Sequence, residues 1–191
     1  MEIESGDSVA NRVTVARVPT DSLTPKSMSA IRALLWAAFD NPEDAMTEDD
    51  WQRAMVGVHF VAEVDGEIVA YASVSQRALE VDGHPVRTGY VEAVATAVGH
   101  QGRGIGSQVM REVNAYIHER FELGALGTGR HRFYERLGWL TWKGQTWVRT
   151  ADRPRRSPEE DGYILVLPTP TSPELDLAAP ISCDWRPGDS W

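Results

Sequence analysis

"VATAVGHQGRGIGSQVM", the stretch from Val94 to Met110, places four glycines and one arginine between an apolar, strand-like run and the start of a helix. From Gly104 onward, Val109, Met110, Val113, Ile117 and Phe121 recur at helical spacing, which predicts an amphipathic helix with one buried face. Gln101-Gly102-Arg103-Gly104-Ile105-Gly106 is therefore a turn almost free of side chains at a helix N-terminus. The first N–H groups of a helix lack intrahelical acceptors and carry the positive end of its dipole. Small residues let a phosphate reach those donors, and Arg103 adds a charge-assisted contact. A plain tight turn is the other reading, although one or two glycines would suffice for it. No Gly-Lys-Ser/Thr follows, so the stretch is not a Walker motif. Nor is it the dinucleotide fingerprint, because the strands before it form a meander rather than a βαβ unit.

That meander is marked by its turns. Three apolar runs between His59 and Val98 are separated by Asp65-Gly66 and Asp82-Gly83, dipeptides that favour tight hairpins. Further upstream, "RVTVARV" (Arg12 to Val18) alternates polar and apolar residues and reads as a strand. "LTPKSMSAIRALLWAAF" begins with Thr24 as N-cap and Pro25 at the first helical position, with Met28, Ile31, Leu35 and Phe39 on one apolar face. "TEDDWQRAM" is a short second helix capped by Thr47. Downstream, "LGAL" reads as a buried strand, "HRFYERLGW" as a short helix ended by Gly138, and "KGQTWVRT" and "YILVLP" as strands. The tail 169–191 holds four prolines and two tryptophans, and a disordered tail rarely spends tryptophan, so it is expected to dock. The order predicts one α+β (mixed α/β) domain over 1–191, with helices on both faces of a largely antiparallel sheet.

Composition bounds the function. The 42% hydrophobic and 25% charged fractions are those of an ordinary globular protein. No run approaches the roughly 18 apolar residues that a membrane span needs, and "MEIESGDSVANR" is unlike a signal peptide. Cys183 is the only cysteine, so no internal disulfide is expected and a reducing cytoplasm fits. The net charge of −9 argues against nucleic acid and favours a cationic partner. His59, His84, His100, His118 and His131 show no metal-ligand spacing, so no metal is expected. Trp139, Trp142 and Trp147 read as core and strand anchors.

The order strand, Gln-x-x-Gly-x-Gly, helix resembles the pyrophosphate-binding motif of the GCN5-related N-acetyltransferases, which use acetyl-CoA. "FYERLGW" resembles that superfamily's second signature. Within it the chain is similar to the aminoglycoside 2'-N-acetyltransferases, and to their kasugamycin-acetylating branch. That likeness is carried by "GYVEAVA", "QRALEVDGHPVRTGYVE", "ELGAL", "YERLGWLTWKG", "EEDGYILVLP" and "CDWRPGDSW". These blocks cover most of the chain from Thr47 onward. The resemblance implies the GCN5-related fold, transfer of acetyl to an aminoglycoside 2'-amine with consequent antibiotic resistance, and a homodimer.

An amine attacks a thioester only when neutral, yet an amine of pKa about 8 or more is largely protonated at neutral pH. The site must bind a cation and then take a proton from it. Glu92, inside an otherwise apolar strand, reads either as a solvent-facing member of that strand or, by the family match, as the contact for the substrate ammonium and the general base. The resemblance gives Val94, Ala95 and Thr96 to the pantetheine arm, with Val94 N–H polarising the thioester carbonyl, and Gln101, Gly102, Arg103, Gly104, Ile105 and Gly106 to the phosphates. It gives Tyr134 the protonation of the departing thiolate; an aromatic on a helix is otherwise a packing residue.

The loop Asp40–Asp50 holds six acids and no base, which reads as a solvated loop or, by resemblance, as amine ligands Asp44 and Asp50. The first of these shares its place with Ala45, because this loop is longer than in the family. Glu160, with Asp161 beside it, matches a substrate-binding acid. The resemblance also brings the α-carboxylate of Trp191, assisted by Asp189, to the substrate as a further anion. After "LGAL" the family has a serine-rich stretch where this chain has Gly127-Thr128-Gly129, so a hydroxyl contact falls to Thr128 and substrate choice is expected to shift. Two rivals are acetylation of another polyamine-like metabolite and a catalytically idle acyl-CoA-binding regulatory module.

Overall fold

The computed structural model describes residues 13–42, 45–188 and 190–191. The chain forms β1 (Thr14–Pro19), α1 (Pro25–Ala38), α2 (Glu48–Ala54), β2 (Val58–Val64), β3 (Glu67–Val81), β4 (His84–Thr96) and α3 (Ile105–Arg120). There follow β5 (Leu123–Gly127), α4 (His131–Glu135), β6 (Leu140–Thr141), β7 (Thr146–Arg149), β8 (Arg155–Arg156), β9 (Ile164–Pro168) and β10 (Ile181–Asp184). Arg12, expected to open β1, lies outside the described residues.

Local chemistry sets the helix starts. Thr24 Oγ1 accepts from Ser27 N–H at 3.1 Å, and Pro25 occupies the position where a missing N–H costs nothing. At α2, Thr47 and Asp50 satisfy each other's backbone donors in a capping box. The apolar face of α1 is centred on Ile31, Leu34 and Leu35; Met28, expected on that face, lies near the helix start and is 37% exposed.

The hairpin turns are as the Asp-Gly pairs predict. Asp65, Gly66, Asp82 and Gly83 all have positive φ, the backbone that matches the right-handed twist of paired strands. β2, β3 and β4 pair antiparallel in chain order, and β1 closes the outer edge against β2. At 15 residues β3 is long enough to carry β2 along Glu67–Val74 and β10 at Glu80 and Val81 on the same flank. Two pairs are parallel, β4 with β5 and β7 with β10, so the sheet is mixed.

Alternation along the strands divides the core. Phe60, Ala62, Val64, Ala70, Ala72 and Val74 face α3, whose Val109, Met110, Val113 and Ile117 are almost fully buried. Val61 and Tyr71 point the other way, into the cluster made by Ile31, Leu35, Trp51 and Ala54 of α1 and α2. Helices therefore cover both faces, each buried aliphatic side chain contributing about 1.5–3 kcal/mol.

β10 was not legible as a strand. It lies between β3 and β7, with Ile181 and Cys183 fully buried. The segment before it crosses Trp142, whose indole N–H donates to Ala179 O at 2.9 Å. Only glycine fits at 144, since a Cβ there would stand 1.8 Å from Ala179 O. Trp191 is buried at 6% exposure, whereas Trp185 is 59% exposed.

His59, fully buried on β2, bonds Tyr71 Oη at 2.7 Å and Thr20 Oγ1 at 3.0 Å. Burial disfavours its charged form and brings its pKa down to about 4. As pH falls, the unfolded chain takes this proton near 6.5 while the native state resists until about 4. Stability is thus complete above about pH 6.5 and is lost on descending to 4, by up to about 3 kcal/mol. Thermal melts at pH 7.5 and 5 should show a smaller fall in Tm for His59→Gln than for the native chain; equal falls would remove His59 from the account.

Candidate active site

β4 is where the sheet opens. Ser73 stands opposite Glu92 but Tyr71 opposite Ala95, so β4 carries one extra residue there, and Ala93 takes φ +50°. This β-bulge reverses which side chains face which way on either side of it. On its other flank β4 pairs with β5 only from Thr88 to Tyr90. Beyond that point the two parallel strands part, and among the described residues no strand covers the edge of Val91–Thr96.

A cleft of about 590 Å³ fills the gap. Val94, Ala95 and Thr96 form one wall, and Gln101, Gly102, Gly104, Ile105 and Gly106 form its end. Gln101 Nε2 donates to Thr96 O at 3.0 Å, tying the glycine turn to the strand end. Gly104, at φ +78°, is the N-cap of α3 and offers no side chain to the helix donors. The first helical bond runs from Gln108 N–H to Gly104 O, leaving the N–H groups of Ile105, Gly106 and Ser107 without intrahelical acceptors at the cleft end. A Cβ at Gly104 would meet no atom within 4 Å, so the turn is open toward the cleft. Arg103 does not line the cleft; it bonds His100, which does.

The opposite wall comes from α4. Tyr134 is 7% exposed, its ring packed edge-on against Phe133 and Trp139, and its hydroxyl makes no hydrogen bond among the described residues. Burial pushes that hydroxyl up to about 12, against the pull of nearby Arg130. Arg130 and Arg136 also line the cleft, and sequence reasoning did not single them out. Their signal was present: "GRHRFYER" is strongly basic within a chain of net charge −9.

A polar strip lies on the face of β3 and β4 that carries Glu92. Its opposed pairs are Ser73 and Glu92, Ser75 and Tyr90, and Arg77 and Thr88. Glu92 Oε1 accepts from Arg186 Nη1 at 2.5 Å, with both side chains mostly buried. Arg186 Nη2 reaches Trp191 O at 3.0 Å, and its guanidinium lies 5.4 Å from the centre of the Tyr90 ring. The Trp191 indole donates to Ser157 Oγ at 3.0 Å, joining the end of the chain to the turn Pro158–Glu160.

Glu92 and Trp191 are thus held in one region by Arg186, and the Ser157 bond links that region to the turn that ends at Glu160; Thr128 lies just beyond the end of β5. Asp50 is linked to that region indirectly: one oxygen caps Thr47, the other pairs with Arg53, and Arg53 donates to Pro187 O at 2.7 Å. Asp161 is turned away toward β7, bonded to Arg156 at 2.6 Å and to Thr146 N–H at 2.9 Å; the Arg156 bond foremost holds its carboxyl at about 2. Asp44 and Asp189 lie outside the described residues.

The family described as "Acetyltransferase (GNAT) domain" matches residues 20–141. An aminoglycoside 2'-N-acetyltransferase of Mycolicibacterium fortuitum is 37% identical over 93% of this chain and 92% of its own length. The chain belongs to the GNAT acetyltransferases. Solved structures share the fold at lower identity. A GNAT family acetyltransferase from Brucella melitensis, in complex with acetyl-CoA, has a TM-score of 0.60 at 18% identity, over 90% of this chain and 95% of that one. A GCN5-related N-acetyltransferase from Kribbella flavida gives 0.59 at 20% identity over 73% of this chain, which spans 35% of that longer protein.

GNAT acetyltransferases use acetyl-CoA, and this GNAT chain has the features that fit it. The glycine turn presents free backbone donors to an open cleft, the bulged strand leaves an unpaired edge for an extended arm, and arginines supply positive charge. Among the described residues no group of three metal-ligating side chains occurs and no helix is long and apolar enough to cross a membrane.

Proposed function

We propose that this acetyltransferase moves an acetyl group from acetyl-CoA to the 2'-amine of an aminoglycoside, with kasugamycin the variant substrate to test first. The observation that carries the reading is the 37% identity to a protein of that name over nearly the whole of both chains. The polar strip that carries the Glu92 carboxylate, next to the Val94–Thr96 wall of a cleft suited to the donor, supports it. Acetylation removes a positive charge from the antibiotic, so a cell carrying the enzyme would be resistant.

The bound donor supplies an activated acetyl thioester. Backbone N–H groups of Ile105, Gly106 and Ser107 hold its phosphates, with Arg130 and Arg136 adding charge-assisted contacts. The Val94–Thr96 edge orients the arm, and Val94 N–H is the donor for the carbonyl oxygen. Glu92 receives the ammonium: Oε1 is held by Arg186, which leaves Oε2 to accept the proton directly or through water. Thr128, Glu160 and the main-chain oxygen of Trp191 are the further acceptor ligands, while Asp50, held by Thr47 and Arg53, acts through the turn that Arg53 grips. Tyr134 keeps its proton throughout the neutral range and offers it to the departing sulfur. Direct transfer needs no nucleophilic side chain.

A screen of coenzyme A release across aminoglycosides, kasugamycin and polyamines tests the reading, with the acetyl position of the product assigned by NMR. Release with 2'-amino compounds alone supports it; turnover confined to linear polyamines would replace it. The donor assignment has its own test in Gly104→Asp. Aspartate is a favoured N-cap residue and tolerates left-handed backbone, so the helix should survive. Its carboxylate would compete for the donors that hold phosphate. Calorimetry should show acetyl-CoA affinity falling at least about tenfold, roughly 1.4 kcal/mol. Unchanged affinity would remove the phosphates from this turn.

A further inference from the structure

We propose that Arg186 is a positioning residue for Glu92, fixing the carboxylate at the β4 bulge and tying it to the turn that follows β10. The inference rests on the reading of Glu92 as the base. Glu92 has three rotatable side-chain bonds, and it projects where β4 loses β5 and gains the irregularity at Ala93. Nothing in the strand itself dictates one orientation. A base working on a bound amine needs one, since displacements of about 1 Å are costly in rate.

Arg186 supplies the missing constraint. Its planar fork gives one N–H to Glu92 Oε1 at 2.5 Å and another to Trp191 O at 3.0 Å. The side chains of Arg186 and Glu92 are 15% and 13% exposed, so the pair is screened far less than a surface ion pair. The guanidinium also lies over the Tyr90 ring, two residues before Glu92 on the same face of β4. The turn that carries Arg186 is gripped from its other side. Arg53 of α2 donates to Pro187 O, and a Cβ at Gly188 would lie 2.8 Å from Arg53 Nη1. Asp50 completes this brace by pairing with Arg53. The constraint on Glu92 is therefore anchored in α2 through Arg186 and Arg53, although neither arginine approaches the cleft of the donor.

A double-mutant cycle tests this, with tobramycin (an aminoglycoside bearing a 2'-amine) as acceptor. Arg186→Ala should lower kcat about tenfold while leaving acetyl-CoA affinity within about twofold and the acceptor KM within about threefold. In a Glu92→Gln background the same substitution should lower kcat less than about twofold, because there is no base left to position. Ethylguanidinium added to Arg186→Ala should restore part of kcat, and should restore none in the double variant. Multiplying losses would overturn the inference while leaving Glu92 its role. A kcat that stays level or rises in Arg186→Ala would also overturn it, marking the guanidinium as an obstacle that substrate displaces. If Glu92→Gln alone leaves kcat intact, the reading of Glu92 fails and this inference with it. Should Arg186→Ala not fold, Arg186→Gln keeps the aliphatic stem and an N–H donor, and is carried through the same cycle.

Discussion

Replacing Glu92 by glutamine should lower turnover by about 10²-fold or more, with acetyl-CoA affinity nearly unchanged. The substitution keeps the side chain's size and an oxygen that can still accept from Arg186, so the strip on β3 and β4 stays packed. What it removes is the capacity to take a proton from the bound ammonium. The deficit should therefore shrink as pH rises, because solution then supplies the neutral amine that the variant cannot make. Steady-state kinetics from pH 6 to 10 would show the two rates converging at the alkaline end. Equal rates at every pH would mean that solvent or another group deprotonates the amine.

Tyr134→Phe should lower kcat roughly 10- to 100-fold. The ring's contacts with Phe133 and Trp139 survive in phenylalanine, and the lost hydroxyl holds no bond among the described residues, so stability should not change. With the phenol at about 12 and a free thiol near 8.5, full ionisation of Tyr134 is uphill. The hydroxyl thus serves by hydrogen-bonding the sulfur as negative charge builds, a contribution that grows toward the transition state. The loss should appear in kcat and not in the acetyl-CoA dissociation constant. A loss confined to acetyl-CoA binding would make Tyr134 a packing residue.

Much of the scaffold could be read from residues acting locally. Asp65-Gly66 and Asp82-Gly83 announce their hairpins because few other residues accept positive φ at both positions. Thr24 and Thr47 announce α1 and α2 because each satisfies a helix donor with its own side chain. The stripe from Val109 to Ile117 is buried as its spacing predicts. Long-range pairing was not legible. β10 is four residues within a proline-rich tail, and it becomes a strand only because β3 and β7 offer it edges from far along the chain.

The candidate site divides in the same way. The glycine turn and Tyr134 sit in continuous motifs, so their arrival at one cleft follows from a single strand–turn–helix unit and the helix packed beside it. The bulge at Ala93 has no sequence mark, since alanine carries no preference for φ +50°. Arg186 carries no local mark within "DWRPGDSW". Its meaning depends on Glu92, 94 positions earlier. Asp161 shows the converse: an acid beside the family position Glu160, with its own carboxylate spent on Arg156 and Thr146.

The central claim is that the cleft and the strip around Glu92 together acetylate an aminoglycoside 2'-amine. The direct test is coenzyme A release from acetyl-CoA with two aminoglycosides identical except for an amine or a hydroxyl at the 2' position. The account predicts turnover with the amine, an acetyl group located at that nitrogen by NMR, and rates at least about 10²-fold lower with the hydroxyl compound. Comparable rates on the two compounds, or an acetyl group at any other nitrogen, would contradict it.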